Sequence, residues 1–107
     1  MDINWDRDFA LDQADGDEDL LKELLAIFTG TLADGRQKIK EGLATDDFLQ
    51  VARAAHSLKG SASSLGFAET AEMANTLEKQ AREGDASQGS EFLVMLESLA
   101  ATLPGLT

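Results

Sequence analysis

Apolar residues recur along this chain at the spacing of helices, and four stretches carry the pattern. From about Asp17 to Leu43, Leu21, Leu24, Leu25, Phe28, Leu32, Ile39 and Leu43 define one face of a long helix. Gly30 and Gly35 weaken it locally, each by roughly 1 kcal/mol relative to Ala, and the helix is expected to run through them, bent or straight. Thr45 or Asp46 is expected to cap the next helix, leaving acids in its first turn. That helix is the most regular: Phe48, Val51, Ala55, Leu58, Ala62 and Leu65 are spaced 3, 4, 3, 4, 3, a seam that must face other helices. Gly66 stands where a left-handed cap is usual. Phe67, Ala71, Ala74, Leu77 and Ala81, with Met73, form a third stripe, closed by Gly84-Asp85. A last helix is expected from about Ser90 through Phe92, Leu93, Leu96, Leu99 and Leu103, stopped by Pro104-Gly105. Ahead of all four, Ile3, Trp5 and Phe9 suggest a short helix or extended arm that packs Trp5 and Phe9 onto the rest. The Asp15-Gly16-Asp17 step reads as a turn, with Asp17 as N-cap.

Four amphipathic helices joined by loops of a few residues predict an all-α, antiparallel up-down-up-down four-helix bundle with a short N-terminal helix or arm. A chain of 107 residues has the size of one domain, here spanning 1–107. One Pro, five Phe, one Trp and no Tyr leave few candidates for strands.

Charge and composition narrow the function. Nine basic residues against twenty acidic ones give a net charge of −11, which argues against nucleic-acid binding, where a basic face is needed. No cysteine is present, so disulfides, thiol catalysis and Cys-based metal sites are excluded. The acidic N-terminus has no apolar run and is not a signal peptide. No stretch approaches the roughly 20 apolar residues of a membrane span. A cytoplasmic protein without a membrane anchor is expected.

The chain has one histidine, His56, on the flank of the seam helix rather than on the seam itself. Its neighbours one and two turns along are Lys59, Gly60 and Ser63, with Arg53 one turn before. Neutral imidazole is a competent nitrogen nucleophile. Phosphoryl transfer then needs positioning and charge neutralisation more than covalent help. Lys59 can set its ammonium against phosphoryl oxygens. Gly60 costs helix stability; its benefit is room for another protein's active site. Ser63 can donate a hydrogen bond to ring or phosphate, or simply keep the face low. The 21 residues from Phe48 to Ala68 contain no Asp or Glu, where the average for the chain predicts about four. This acidic protein has kept acid away from the face that bears its histidine.

Taken singly, each of these residues has a plainer explanation. A lone helical histidine is more often an edge residue, Lys59 a solvated lysine, Gly60 a close helix contact, and Ser57, Ser61, Ser63 and Ser64 surface polarity. The conjunction on one face carries the reading. Other sites fail on spacing. A calcium loop with Gly16 at its sixth position would need carboxylates at Leu11 and Lys22. A di-iron bundle needs Glu three residues before histidine. Hydrolase chemistry needs an acid orienting His56, and its own stretch offers none. No Gly-rich nucleotide loop is present, so ATP use is not expected.

The run His56-Ser57-Leu58-Lys59-Gly60-Ser61-Ala62-Ser63-Ser64-Leu65-Gly66 resembles the signature of histidine-containing phosphotransfer (HPt) domains, H-x-L-K-G followed by small residues and L-G. The resemblance extends to Ala52–Ala55, Asp46, Leu77-Glu78 through Gly84-Asp85, and Gly16-Asp17 to Phe28, and so covers most of the chain. It implies a four-helix bundle whose His56 is phosphorylated on its outer imidazole nitrogen. It also implies exchange with the aspartate of response-regulator receiver domains. Lys59 and Gly60 carry over directly; Ser63 and Ser64 match only as small polar positions, where the family varies.

The expected function is a phosphorelay carrier without kinase activity of its own, exchanging phosphate with a receiver domain and/or a hybrid sensor histidine kinase. His56 would be the phosphoacceptor and Lys59 would neutralise charge, with Arg53, Gly60, Ser63 and Ser64 forming the docking face. No cofactor or metal of its own is expected; Mg²⁺ would sit on the partner receiver. A monomer is the simpler state, since one bundle uses all the seam positions. The phosphotransfer domain of a chemotaxis-type kinase is a variant of this reading. The rival from another class is a non-catalytic acidic interaction bundle, an adaptor or nucleic-acid mimic in which His56 does nothing.

Overall fold

The computed structural model describes residues 5–106, which form helices and no strand. The helices are α1 (Arg7–Gln13), α2 (Glu18–Thr45), α3 (Phe48–Ser64), α4 (Ala68–Arg82) and α5 (Gly89–Thr102), followed by a 3-10 turn, Leu103–Leu106. None is long and apolar enough to cross a membrane.

Helix α2 starts where Asp17 accepts hydrogen bonds from the backbone N–H groups of Asp19 and Leu20 at 2.9 and 3.2 Å. These satisfy orphan donors of the first turn. It then runs unbroken for 28 residues, through both glycines. Gly35 has a packing reason: a Cβ there would lie 2.8 Å from the Leu58 side chain. Gly42 likewise admits Val51 of α3. These two close approaches let α2 and α3 pack along much of their length.

The turn into α3 departs from expectation. Helix α2 extends to Thr45, and Asp46 takes the left-handed conformation (φ 54°) as its C-cap, a geometry Asp tolerates better than most residues. Asp47 is the N-cap of α3, accepting from the Gln50 N–H at 3.1 Å, and no acid remains in the first turn.

The stripes converge on one core. Leu21, Leu25, Phe28, Leu32 and Ile39 of α2, Val51, Ala55, Leu58 and Ala62 of α3, Ala74, Leu77 and Ala81 of α4, and Phe92, Leu96 and Leu99 of α5 are all buried. Burial of each Leu, Ile, Val or Phe side chain contributes roughly 1.5–3 kcal/mol before entropy is charged against it. Helix α3 packs most extensively against α4 and next against α2, and α5 closes the group from α2 and α4. Pro104 falls inside the final 3-10 turn, and α5 ends at Thr102, just ahead of it.

The N-terminal segment latches the α3–α4 corner. The Trp5 indole N–H donates to the Leu65 carbonyl at 2.8 Å, and its ring stacks on Phe67, which stacks in turn on Phe28. The Asp6 N–H donates to the Gly66 carbonyl at 3.0 Å. Gly66 is left-handed (φ 82°), and a Cβ there would sit 2.5 Å from the Asp6 carbonyl oxygen. Phe9 does not join this packing. It is 42% exposed, because α1 turns Ala10, and Ala14 just beyond its end, inward instead. Ile3 lies outside the described residues.

Candidate functional site

Helix α3 carries His56 on the flank of its packing seam, so the imidazole reaches solvent with 64% of the side chain accessible. Across the α3–α4 interface stands Glu78. Its neighbour Leu77 is fully buried, and Glu78 itself is only 7% exposed. Its Oε2 lies 3.0 Å and its Oε1 3.2 Å from Nδ1 of His56. The Lys59 ammonium donates to Oε1 at 2.8 Å and reaches the Asn75 side-chain oxygen at 3.4 Å. The Arg82 guanidinium, one turn along α4, donates to Oε2 at 3.1 Å. One carboxylate thus joins three donors from two helices.

The charge state of Glu78 follows from its surroundings. Burial pushes its carboxyl up, but hydrogen bonds from Lys59, then Arg82, then His56 outweigh that and hold it at about 2. At neutral pH it is an ionised carboxylate, which accepts hydrogen bonds and donates none. Nδ1 of His56 must therefore carry the hydrogen of this contact. In the neutral ring the free lone pair is then on Nε2, at the outward edge of an exposed imidazole, where no group among the described residues bonds it. The resulting arrangement is a nucleophilic nitrogen facing out with a buried anion behind it.

Gly60 is exposed mid-helix, and a Cβ there would meet nothing within 4 Å. A close helix contact does not explain it, in contrast to Gly35 and Gly42. Ser63 is exposed and makes no hydrogen bond to His56. The Ser64 hydroxyl turns back to the Gly60 carbonyl at 3.0 Å. Arg53 is exposed and forms no ion pair among the described residues. It lines a groove of about 450 Å³ between α2 and α3, together with Ser57 but without His56. The structure thus brings His56 and Lys59 together through Glu78, and sets Arg53, Gly60, Ser63 and Ser64 on the surface around them. No grouping of His, Cys, Asp and Glu among the described residues is arranged to hold a metal ion.

Sequence reasoning missed Glu78 and Arg82 as members of the site. The orienting acid absent from the histidine's own stretch comes from the neighbouring helix. Its signals were its place beside buried Leu77 and an arginine four residues on.

A helical bundle bearing an outward histidine backed by a carboxylate suits a carrier of small electrophilic groups. The chain belongs to the Hpt domain family, whose match covers residues 23–103. Its function is accordingly phosphotransfer within a phosphorelay, as a phosphocarrier. The fold is similar to that in the crystal structure of histidine-containing phosphotransfer protein B (HptB) from Pseudomonas aeruginosa PAO1. That match has a TM-score of 0.83 at 23% identity, covering 96% of this chain and 90% of that one. No curated protein sequence matches the chain.

Proposed function

We propose that His56 is the phosphoacceptor, taking a phosphoryl group on Nε2 from a receiver-domain aspartyl phosphate or a hybrid sensor histidine kinase and passing it to another receiver. The observation that carries this reading is the contact of Nδ1 with Glu78, which leaves Nε2 both outward and unprotonated. In the step from a receiver, the Nε2 lone pair attacks phosphorus, the acyl phosphate P–O bond breaks, and the aspartate leaves as carboxylate. The ring keeps its Nδ1 hydrogen and gains positive charge, which Glu78 faces directly, in the manner of the carboxylate behind a triad histidine. Donation is the reverse: the P–N bond breaks and a neutral imidazole leaves.

Lys59 neutralises the phosphoryl oxygens, and the open space at Gly60 admits the partner's active site. Arg53, Ser63 and Ser64 belong to the docking face, where a cation and small side chains let an acidic pocket approach. The receiver supplies Mg²⁺ and most of the catalysis. The short links between successive helices support the antiparallel course of α2 to α5 that this docking face assumes. A monomer in the cytoplasm, where receiver domains reside, completes the reading.

The test is transfer of label from a phosphorylated receiver domain to the protein and to His56→Gln. Acid-labile, base-stable label on the wild type alone is expected. Equal labelling of both, or none from several receivers and kinases onto the folded protein, would favour the non-catalytic adaptor.

A further inference from the structure

We propose that Arg82 is a positioning residue for this transfer, holding Glu78 against His56 while Lys59 leaves Glu78 for the incoming phosphoryl group. The inference rests on His56 being the phosphoacceptor. It starts from a conflict in the unphosphorylated site. Lys59 is assigned to phosphoryl oxygens, yet its ammonium is committed to Glu78 at 2.8 Å. Serving the phosphoryl group means loosening that bond. Glu78 is only 7% exposed, and a buried carboxylate stripped of its cation is strongly unfavourable.

The two carboxylate oxygens divide the work. Lys59 holds Oε1, the oxygen farther from Nδ1, at 3.2 Å. Arg82 holds Oε2, the oxygen nearer Nδ1, at 3.0 Å. When Lys59 swings away, Oε1 loses a donor while Oε2 keeps both Arg82 and the imidazole. The Arg82 contact lies within α4 at i,i+4 spacing, so it asks nothing of α3 or of the docked partner. Arg82 makes no other ion pair among the described residues, and Glu78 is the one carboxylate it serves. The other charged and titratable groups on Glu78 are His56 and Lys59, both from α3.

This arrangement gives Arg82 a conditional effect. While Lys59 is in place, the loss of Arg82 leaves Glu78 still held and His56 in its Nδ1–H form. With Lys59 withdrawn, by the phosphoryl group or by substitution, the ring's placement depends on Arg82 alone.

The experiment uses the whole chain with phosphoramidate as donor, whose P–N bond breaks to release ammonia as the bond to Nε2 forms, so no partner protein is needed. Imidazole ¹⁵N spectra report the tautomer. Arg82→Gln is expected to keep the Nδ1–H tautomer in the resting protein but to slow phosphorylation roughly two- to fivefold, the range of a partly solvated ion pair. Arg82→Lys restores the rate. In a Lys59→Gln background, Arg82→Gln is expected to mix the tautomers, while Lys59→Gln alone does not. Circular dichroism checks that each variant is folded. A wild-type rate in Arg82→Gln, a slow rate that Arg82→Lys does not recover, or a tautomer indifferent to Arg82 in the Lys59→Gln background would overturn the proposal. Failure of the His56 reading shows separately, as phosphorylation that persists in His56→Gln.

Discussion

Oε2 of Glu78 lies 3.0 Å from Nδ1 of His56, although the two are 22 residues apart and on different helices. The contact sets which ring nitrogen keeps its hydrogen, and so which one is free to react. Glu78→Gln preserves shape but replaces an obligate acceptor by an amide that also donates. We expect its imidazole to sample both tautomers and its phosphorylation to slow by roughly ten- to a hundredfold, the scale of one hydrogen bond to a charged group. Imidazole ¹⁵N shifts together with phosphoramidate kinetics check both effects.

The same carboxylate makes stability depend on pH. Its folded value of about 2 lies below the ordinary 4.5, so between these values the unfolded chain binds more protons than the native one. Stability from this group is therefore complete above pH ~4.5 and is lost as pH falls towards 2. The shift corresponds to at most about 3 kcal/mol, and solvent around Lys59 and Arg82 reduces the realised amount. Urea unfolding between pH 2 and 7 should show a smaller decline for Glu78→Gln than for the wild type.

Lys59→Gln removes one of the two cations on Glu78 while Arg82 continues to hold it. Transfer should fall by roughly ten- to a hundredfold, the scale of losing one hydrogen bond to a charged group. The resting tautomer should stay as it is. A tautomer that shifts with Lys59 alone would mean that the lysine, not Arg82, fixes Glu78.

Gly60 separates chemistry from docking. With nothing near its absent side chain, Gly60→Ala should stabilise the fold by up to about 1 kcal/mol. Gly60→Leu should fold as well, accept phosphate from phosphoramidate at the wild-type rate, and lose transfer from a receiver. Equal receiver transfer in Gly60→Leu would show that no partner surface comes close there.

Gly66 is constrained twice, by its left-handed backbone and by the Asp6 carbonyl against its Cα. Gly66→Ala should cost roughly 2 kcal/mol or more and release the N-terminal segment. Both effects are readable from denaturant melts and from the fluorescence of Trp5, the one tryptophan of the chain.

The helices were legible in the sequence because burial imposes a period: the 3-4 seam from Val51 to Leu65 could face only inward. His56, Lys59 and Gly60 were legible together because they lie within two turns of one helix, where sequence spacing is spatial spacing. Glu78 and Arg82 were not, since which residue of α4 meets which of α3 depends on how two helices register. No periodicity within either helix records that. Asp46 was misplaced for a local reason: Asp serves both as an N-cap and as a left-handed residue, and with two in succession the order is set by where α2 ends. Phe9 shows that size alone does not mark a buried position, since α1 approaches closely enough to use Ala10 and Ala14.

The acid-free stretch around His56 also shapes how a partner arrives. The molecule carries −11 overall, while the face that bears His56 presents Arg53 together with Lys59 and Arg82, whose shared anion is buried beneath them. An acidic pocket drifting near is repelled from most directions and drawn in from one, over the roughly 8 Å that fields reach at physiological salt. Such a charge pattern turns a collision into an alignment: the partner is rotated towards the histidine before any atom touches it. Added salt would weaken the repulsion and the guidance together, trading fewer wasted approaches for more frequent but less ordered ones.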